Sequence, residues 1–219
     1  TCISMFYDLE SPANFVEQVS EVLDKDGICH FEQSYMPSML RQNAYDTICH
    51  EHLEFYSLGV VKKLIENAGL KIIDVQINGI NGGSFAVTAA CKNANFKTND
   101  AIIDWMLEQE DRMKLNTAEP YIEFKKRVFS HRRDLINLIN NLNNNNKKII
   151  GYGASTKGNV LLQFCNFTDN DLSCIAEVNP DKYGSYTPGT LIPIVSEVDA
   201  KSMSPDYMLV LPWHFKDTI

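Results

Sequence analysis

Lys147-Lys148-Ile149-Ile150-Gly151-Tyr152-Gly153-Ala154-Ser155-Thr156-Lys157-Gly158-Asn159 is the stretch that decides the fold. Residues 147–152 read as a short strand, 153–157 as a loop of small and polar residues, and 158–165 as a helix, which is one strand–turn–helix step of an α/β sheet. At such a step glycines let the backbone approach a ligand, the helix N-terminus offers N–H groups and Lys157 adds a point charge, so a phosphate or another polar group suits it. The pattern departs from the common fingerprints. GxGxxG requires glycine at 156, where Thr156 stands, and the Walker Lys-Ser/Thr pair is missing. Taken alone, these residues also fit a tight turn that binds nothing.

Working outward, 172–178 and 207–211 supply two more strand candidates, and the second runs through Pro212-Trp213 to His214, where a strand's carboxyl end can line a cleft. Upstream, Tyr121, Phe124, Val128, His131, Leu135, Leu138 and Leu142 are spaced 3, 4, 3, 4, 3 and 4, which predicts one long helix with a narrow apolar seam. Thr117 can cap it, the asparagine run 143–146 ends it, and His131 reads as a satisfied interface residue. Asp104, Glu108, Glu110 and Asp111 read as a solvated helix face. The polar stretch 92–100 marks a boundary. Before it, Ser11-Pro12 opens a helix with Phe15, Val19, Val22 and Leu23 on one face. Residues 28–33 form a strand with Glu32, Gln33 and Ser34 at its C-terminal end and His30 inside it. Ser57 caps a helix carrying Val61, Leu64, Ile65 and Ala68, and Gly69 stops it. Runs 70–77 and 84–90 pair as a hairpin around the turn 78–83.

Composition sets the outer limits. With 219 residues, 44% hydrophobic and 22% charged, the chain is in the soluble globular range. Twenty basic against 28 acidic side chains leave a net charge of −8, which offers no positive field for nucleic acid or anionic lipid. No apolar run is long enough to span a membrane. Six scattered cysteines, with no CxxC, fit reduced thiols and a cytoplasmic setting rather than staples or a metal knot. The first residues read as the end of a buried strand and the last as a helix just begun, so a piece of a longer chain is expected.

A second constellation is Asp46-Thr47-Ile48-Cys49-His50-Glu51-His52, with two imidazoles around a carboxylate. Histidine titrates near neutrality and a neighbouring carboxylate can orient it, which equips the segment for general base chemistry. A zinc reading is weaker, because HExxH spacing and a nearby cysteine pair are absent, and no metal is expected. Structurally, one histidine can simply pack while the other is solvated.

The stretch 43–57 containing this motif, the later Asn81-Gly82-Gly83-Ser84, the elbow Gly151–Asn159 and the closing Leu211-Pro212-Trp213-His214-Phe215-Lys216-Asp217 together resemble the S-adenosylmethionine-dependent sugar C-methyltransferases. The resemblance implies an α/β chain made of a partial Rossmann-type methyltransferase sheet (1–93), a helical connector (94–146) and a second, incomplete Rossmann-like domain (147–219). It implies methyl transfer from S-adenosylmethionine to the carbon beside the ketone of a nucleotide-linked keto-deoxysugar. His52 is then the base, Glu51 its orienting partner or a sugar ligand, and His50 a supporting group or enolate donor. Gly151, Gly153, Lys157, Gly158, Asn159, Trp213 and His214 would take the diphosphate or another polar part of the sugar nucleotide. The main S-adenosylmethionine site, and a zinc domain, are expected upstream of residue 1. One departure is Cys49, where relatives often carry tyrosine. The alternatives are a dinucleotide-dependent sugar-nucleotide oxidoreductase with Glu177 as ribose ligand, and a non-catalytic sugar-nucleotide binding module.

Overall fold

The chain begins with β1 (Cys2–Ile3), and Pro12, whose missing N–H costs a first turn nothing, starts α1 (Pro12–Val22). β2 (Ile28–Ser34) leads through Tyr35 into α2 (Met36–Gln42), then α3 (Leu58–Asn67), β3 (Leu70–Asn78), β4 (Ser84–Cys91), α4 (Asp100–Arg112) and the 26-residue α5 (Glu119–Asn144). β5 (Ile149–Tyr152), α6 (Thr156–Cys165), β6 (Ile175–Glu177), β7 (Ile194–Ser196), α7 (Glu197–Ser202) and β8 (Tyr207–Val210) follow. This computed structural model describes residues 1–215, so Lys216 and Asp217 of the closing motif lie outside the described residues. Contacts divide the chain into two units, 1–44 with 50–124, and 45–49 with 125–219. Thus α4 and the head of α5 group with the first unit, and the rest of α5 with the second.

The first unit holds a mixed sheet of order β1-β2-β4-β3. β1 runs parallel to β2, while β4 lies antiparallel to both β2 and β3. The β3–β4 hairpin closes as its sequence requires: Asn81 is left-handed and Gly83 has φ 118°, where a Cβ would come within 2.6 Å of Ser38. Phe6, Phe31, Phe85, Leu58, Val61, Ile65, Leu70 and Met106 fill the core. Val16, Phe15, Val19 and Leu23 are the inward face of α1, whereas Val22 is 83% exposed and does not belong to that face.

Glu110 corrects another expectation. It is not part of a solvated face but is buried, and it accepts hydrogen bonds from Tyr35 Oη (2.7 Å), Leu58 N (2.6 Å) and Gly59 N (2.9 Å). Ser57 Oγ takes the next amide, Val60 N, so the α3 N-terminus has partners for three of its otherwise free donors. Asp104, Glu108 and Asp111 are exposed as expected.

The second unit is an all-parallel sheet of order β7-β6-β5-β8. Ile139, Ile149, Leu162, Phe167, Leu172, Ile175 and Ile192 form its core, with Leu135 and Leu142 packed alongside. Leu138, expected in the α5 seam, is 53% exposed and Ile139 is buried in its place. Both positions fit a helical repeat from Leu135, and only packing decides between them. The expected strand 172–178 contracts to β6, because Leu172 enters the core from a turn. Helices laid against sheets in both units bear out the α/β, Rossmann-like reading. Cys2, Cys29, Cys49, Cys91, Cys165 and Cys174 are free thiols. Among the described residues, no helix is long and apolar enough to cross a membrane.

Candidate active site

In the second unit the chain goes from β5 outward to β6 and β7, then returns to place β8 on the other side of β5. Strand order therefore reverses between β5 and β8, and the carboxyl ends of these two strands are where an open parallel sheet receives its ligand. The sequence elbow leaves β5 there, and Leu211-Pro212-Trp213-His214 leaves β8.

The elbow glycines are required by close packing within this unit. A Cβ on Gly151 would lie 2.3 Å from Ile175 Cδ1, one on Gly153 (φ 84°) would lie 2.7 Å from the Pro212 ring, and one on Gly158 would lie 2.8 Å from Leu211 Cβ. Ser155 caps α6, its Oγ accepting from Gly158 N at 3.0 Å and its carbonyl from Asn159 N at 3.0 Å. Glu177, at the end of β6, fastens the elbow from below. Its buried carboxylate accepts from Ala154 N (2.9 Å), Val178 N (2.8 Å) and Asn179 N (3.0 Å), with Lys182 Nζ at 3.5 Å. Burial opposes its ionisation, but these donors together hold the carboxyl below its ordinary range. Both oxygens are thus committed to the protein, which removes the ribose ligand that the oxidoreductase alternative requires.

The third contributor to this corner is the segment 45–49, which groups with the second unit. Asp46 is buried, and its Oδ2 accepts a hydrogen bond from Trp213 Nε1 at 2.8 Å. Tyr45 packs edge-on against Phe164 and pairs its hydroxyl with His131 Nδ1 at 3.0 Å, which satisfies that histidine as expected. Lys157 is half-buried here. Burial pushes its ammonium down, while Asp46 and Cys49 oppose the shift. His214 is lowered by burial and by Lys157, against the pull of Asp46, and its buried Nδ1 has no hydrogen-bond partner among the described residues. Asp46 is a contributor that the sequence did not single out, and Glu177 is expected from it only as the ribose ligand of the oxidoreductase alternative. Asp46 stood inside a motif dominated by its histidines, and Glu177 stood at a strand end where a ligand role competed with a structural one.

His50, Glu51 and His52 belong to the first unit. His52 is half-buried with its ring 4.3 Å from that of Tyr7, and Leu53 N and Glu54 N both donate to the Tyr7 carbonyl at 3.0 and 3.1 Å. His50 and Glu51 are exposed, with His50 Nε2 3.8 Å from Glu51 Oε1. A ligand atom of Glu51 and one of His52 lie within 4.8 Å of each other. His30 pairs its Nδ1 with Thr88 Oγ1 across the sheet at 2.9 Å, a structural role. At the end of β2, Gln33 is buried and neither of its amide atoms has a partner among the described residues; the same holds for the Tyr56 hydroxyl. The β1–α1 connection, residues 4–11, carries no glycine.

Residues 79–219 match the family model described as the C-methyltransferase C-terminal domain. The chain is 34% identical over 201 residues to the C-methyltransferase NovU of Streptomyces niveus, an alignment covering 92% of this chain and 48% of that protein. It therefore spans about half the length of the curated relative it matches. On these two matches, the chain belongs to the C-methyltransferase family.

Proposed function

We propose that this chain works, within the protein expressed from its complete coding sequence, in moving a methyl group from S-adenosylmethionine to the carbon beside the ketone of a nucleotide-linked keto-deoxysugar. A hydrogen next to a ketone becomes removable once the enolate oxygen is stabilised, and the carbanion can then take a methyl group in line. His52 is the base, since the Tyr7 ring and the backbone bonds that follow it fix its position. Glu51 orients it, and exposed His50 supports Glu51 or donates to the enolate. S-adenosylmethionine supplies the electrophilic methyl group when bound. Lys157, Trp213 and His214 hold a polar part of the sugar nucleotide.

The observation that carries this reading is the Trp213–Asp46 hydrogen bond. It joins the closing stretch to Asp46, in the segment 45–49 that groups with the elbow in the second unit. The test is His52→Ala in the complete protein. We expect turnover to fall by about 10²–10⁴-fold with S-adenosylmethionine binding retained, and retained turnover refutes the base assignment. Sugar-nucleotide binding with no consumption of methyl donor by the unaltered protein favours the non-catalytic alternative.

A further inference from the structure

We propose that Trp213 offers the sugar nucleotide a ring face rather than a hydrogen bond, and that Asp46 is the positioning residue that sets the plane of that ring. This deepens the sugar-nucleotide reading above, rests on it, and narrows the share of Trp213 from a polar contact to stacking on a ring of the ligand.

An indole has one polar atom, and it can only donate. That donor is spent, since Trp213 Nε1 donates to Asp46 Oδ2 at 2.8 Å. What the half-buried side chain still presents is its π surface. The His214 ring stands at 89° to the indole with centroids 5.9 Å apart, so it does not lie flat over that surface. Trp213 follows β8, on the side of the sheet where strand order reverses and an open parallel sheet receives its ligand.

The indole is tied down at both ends, within one unit. On the main-chain side, Leu211 N donates to Tyr152 O at 3.0 Å and Phe215 N to Pro212 O at 2.9 Å, and the Pro212 ring packs so closely on Gly153 that a Cβ there would lie 2.7 Å away. On the side-chain side, Asp46 is buried in a turn that is itself anchored. Its neighbour Tyr45 has its hydroxyl 3.0 Å from His131 Nδ1 and its ring centroid 5.4 Å from that of Phe164, and Ile48 N donates to Tyr45 O at 3.0 Å. A carboxylate acceptor makes the stronger kind of hydrogen bond, and an indole already held in place loses little freedom when a ligand ring settles on it. A nucleobase or the apolar face of a sugar ring needs no donor from the protein for such a contact.

The experiment uses the complete protein and calorimetric titration of thymidine diphosphate glucose, thymidine diphosphate and glucose 1-phosphate. Trp213→Ala is expected to weaken the conjugate by about tenfold or more. The fragment that loses affinity in parallel names the ring: thymidine diphosphate if the base stacks, glucose 1-phosphate if the hexose does. Asp46→Ala, which leaves the indole N–H without its acceptor, is expected to weaken the conjugate about fivefold, whereas Asp46→Asn keeps an oxygen there and should stay within about twofold of the unaltered protein. Trp213→Phe keeps a ring and has no N–H, so in that background Asp46→Ala should change affinity by less than about twofold. No loss from Asp46→Ala, the same loss in both backgrounds, or no rescue by asparagine overturns the positioning role while the sugar-nucleotide reading stands. Unchanged affinity in Trp213→Ala overturns the stacking, and if the unaltered protein binds none of these ligands the sugar-nucleotide reading fails with it.

Discussion

Replacing Glu177 with glutamine tests how the elbow is held. The carboxylate accepts three backbone N–H groups, two at Oε1 and one at Oε2, and Oε2 also faces Lys182 Nζ. Glutamine has a single acceptor oxygen. If that oxygen serves Val178 and Asn179, the new NH₂ confronts the Ala154 N–H and the Lys182 ammonium; if it turns around, it confronts the other two donors. Hydrogen bonds to a charged acceptor are worth about 1.5–3 kcal/mol each, and the donors on exposed Val178 and Asn179 can recover water, so we expect a loss of about 2–3 kcal/mol. Urea unfolding at pH 7, read from Trp213 fluorescence in a Trp105→Phe background, reports on the second unit. A difference under about 0.5 kcal/mol with an unchanged slope refutes the clamp. The pH dependence has a definite sign. Because the folded carboxyl sits below its ordinary range, its contribution is complete above that range and is lost as pH falls through the folded value. The gap between the two proteins should therefore close on acidification.

Glu110→Ala leaves Leu58 N, Gly59 N and the Tyr35 hydroxyl without their common acceptor, and is expected to destabilise the first unit by about 3 kcal/mol, measured by urea unfolding read from Trp105 in a Trp213→Phe background. A solvated surface glutamate would cost under about 0.5 kcal/mol. On α5, Ile139→Ala is expected to cost about 2–4 kcal/mol and Leu138→Ala under about 1 kcal/mol, since Ile139 is buried and Leu138 is 53% exposed. Equal midpoints in thermal unfolding of the two variants contradict that packing.

Much of the architecture could be read from local pattern because local pattern causes it. Ser57 and Gly69 bracket α3, Gly82-Gly83 turns the β3–β4 hairpin, and Ser155 caps α6 as its position demands. Where several placements satisfy the same period, tertiary packing decides, as for Val22 against Val16 and Leu138 against Ile139. Ile194–Ser196 and the six-residue helix after it are too short to show any period. Polar residues were harder still. Glu110 and Glu177 lie in acidic or strand-end contexts that suggest solvent or ligand, yet each is buried under amides tens of residues away or across a turn. The site shows the same division. His52, Lys157, Trp213 and His214 announce themselves by residue type, whereas Asp46 becomes visible only through the indole 167 residues further along that it accepts from.

Base-assisted enolate formation makes the α-hydrogen of the sugar exchangeable with solvent before any methyl group moves, so its wash-out in D₂O is the most direct test. With the complete protein, a nucleotide-linked keto-deoxysugar and no methyl donor, mass spectrometry should record deuterium entering beside the ketone, and His52→Ala should slow that entry by about 10²-fold or more. Exchange by His52→Ala at the rate of the unaltered protein would contradict the account.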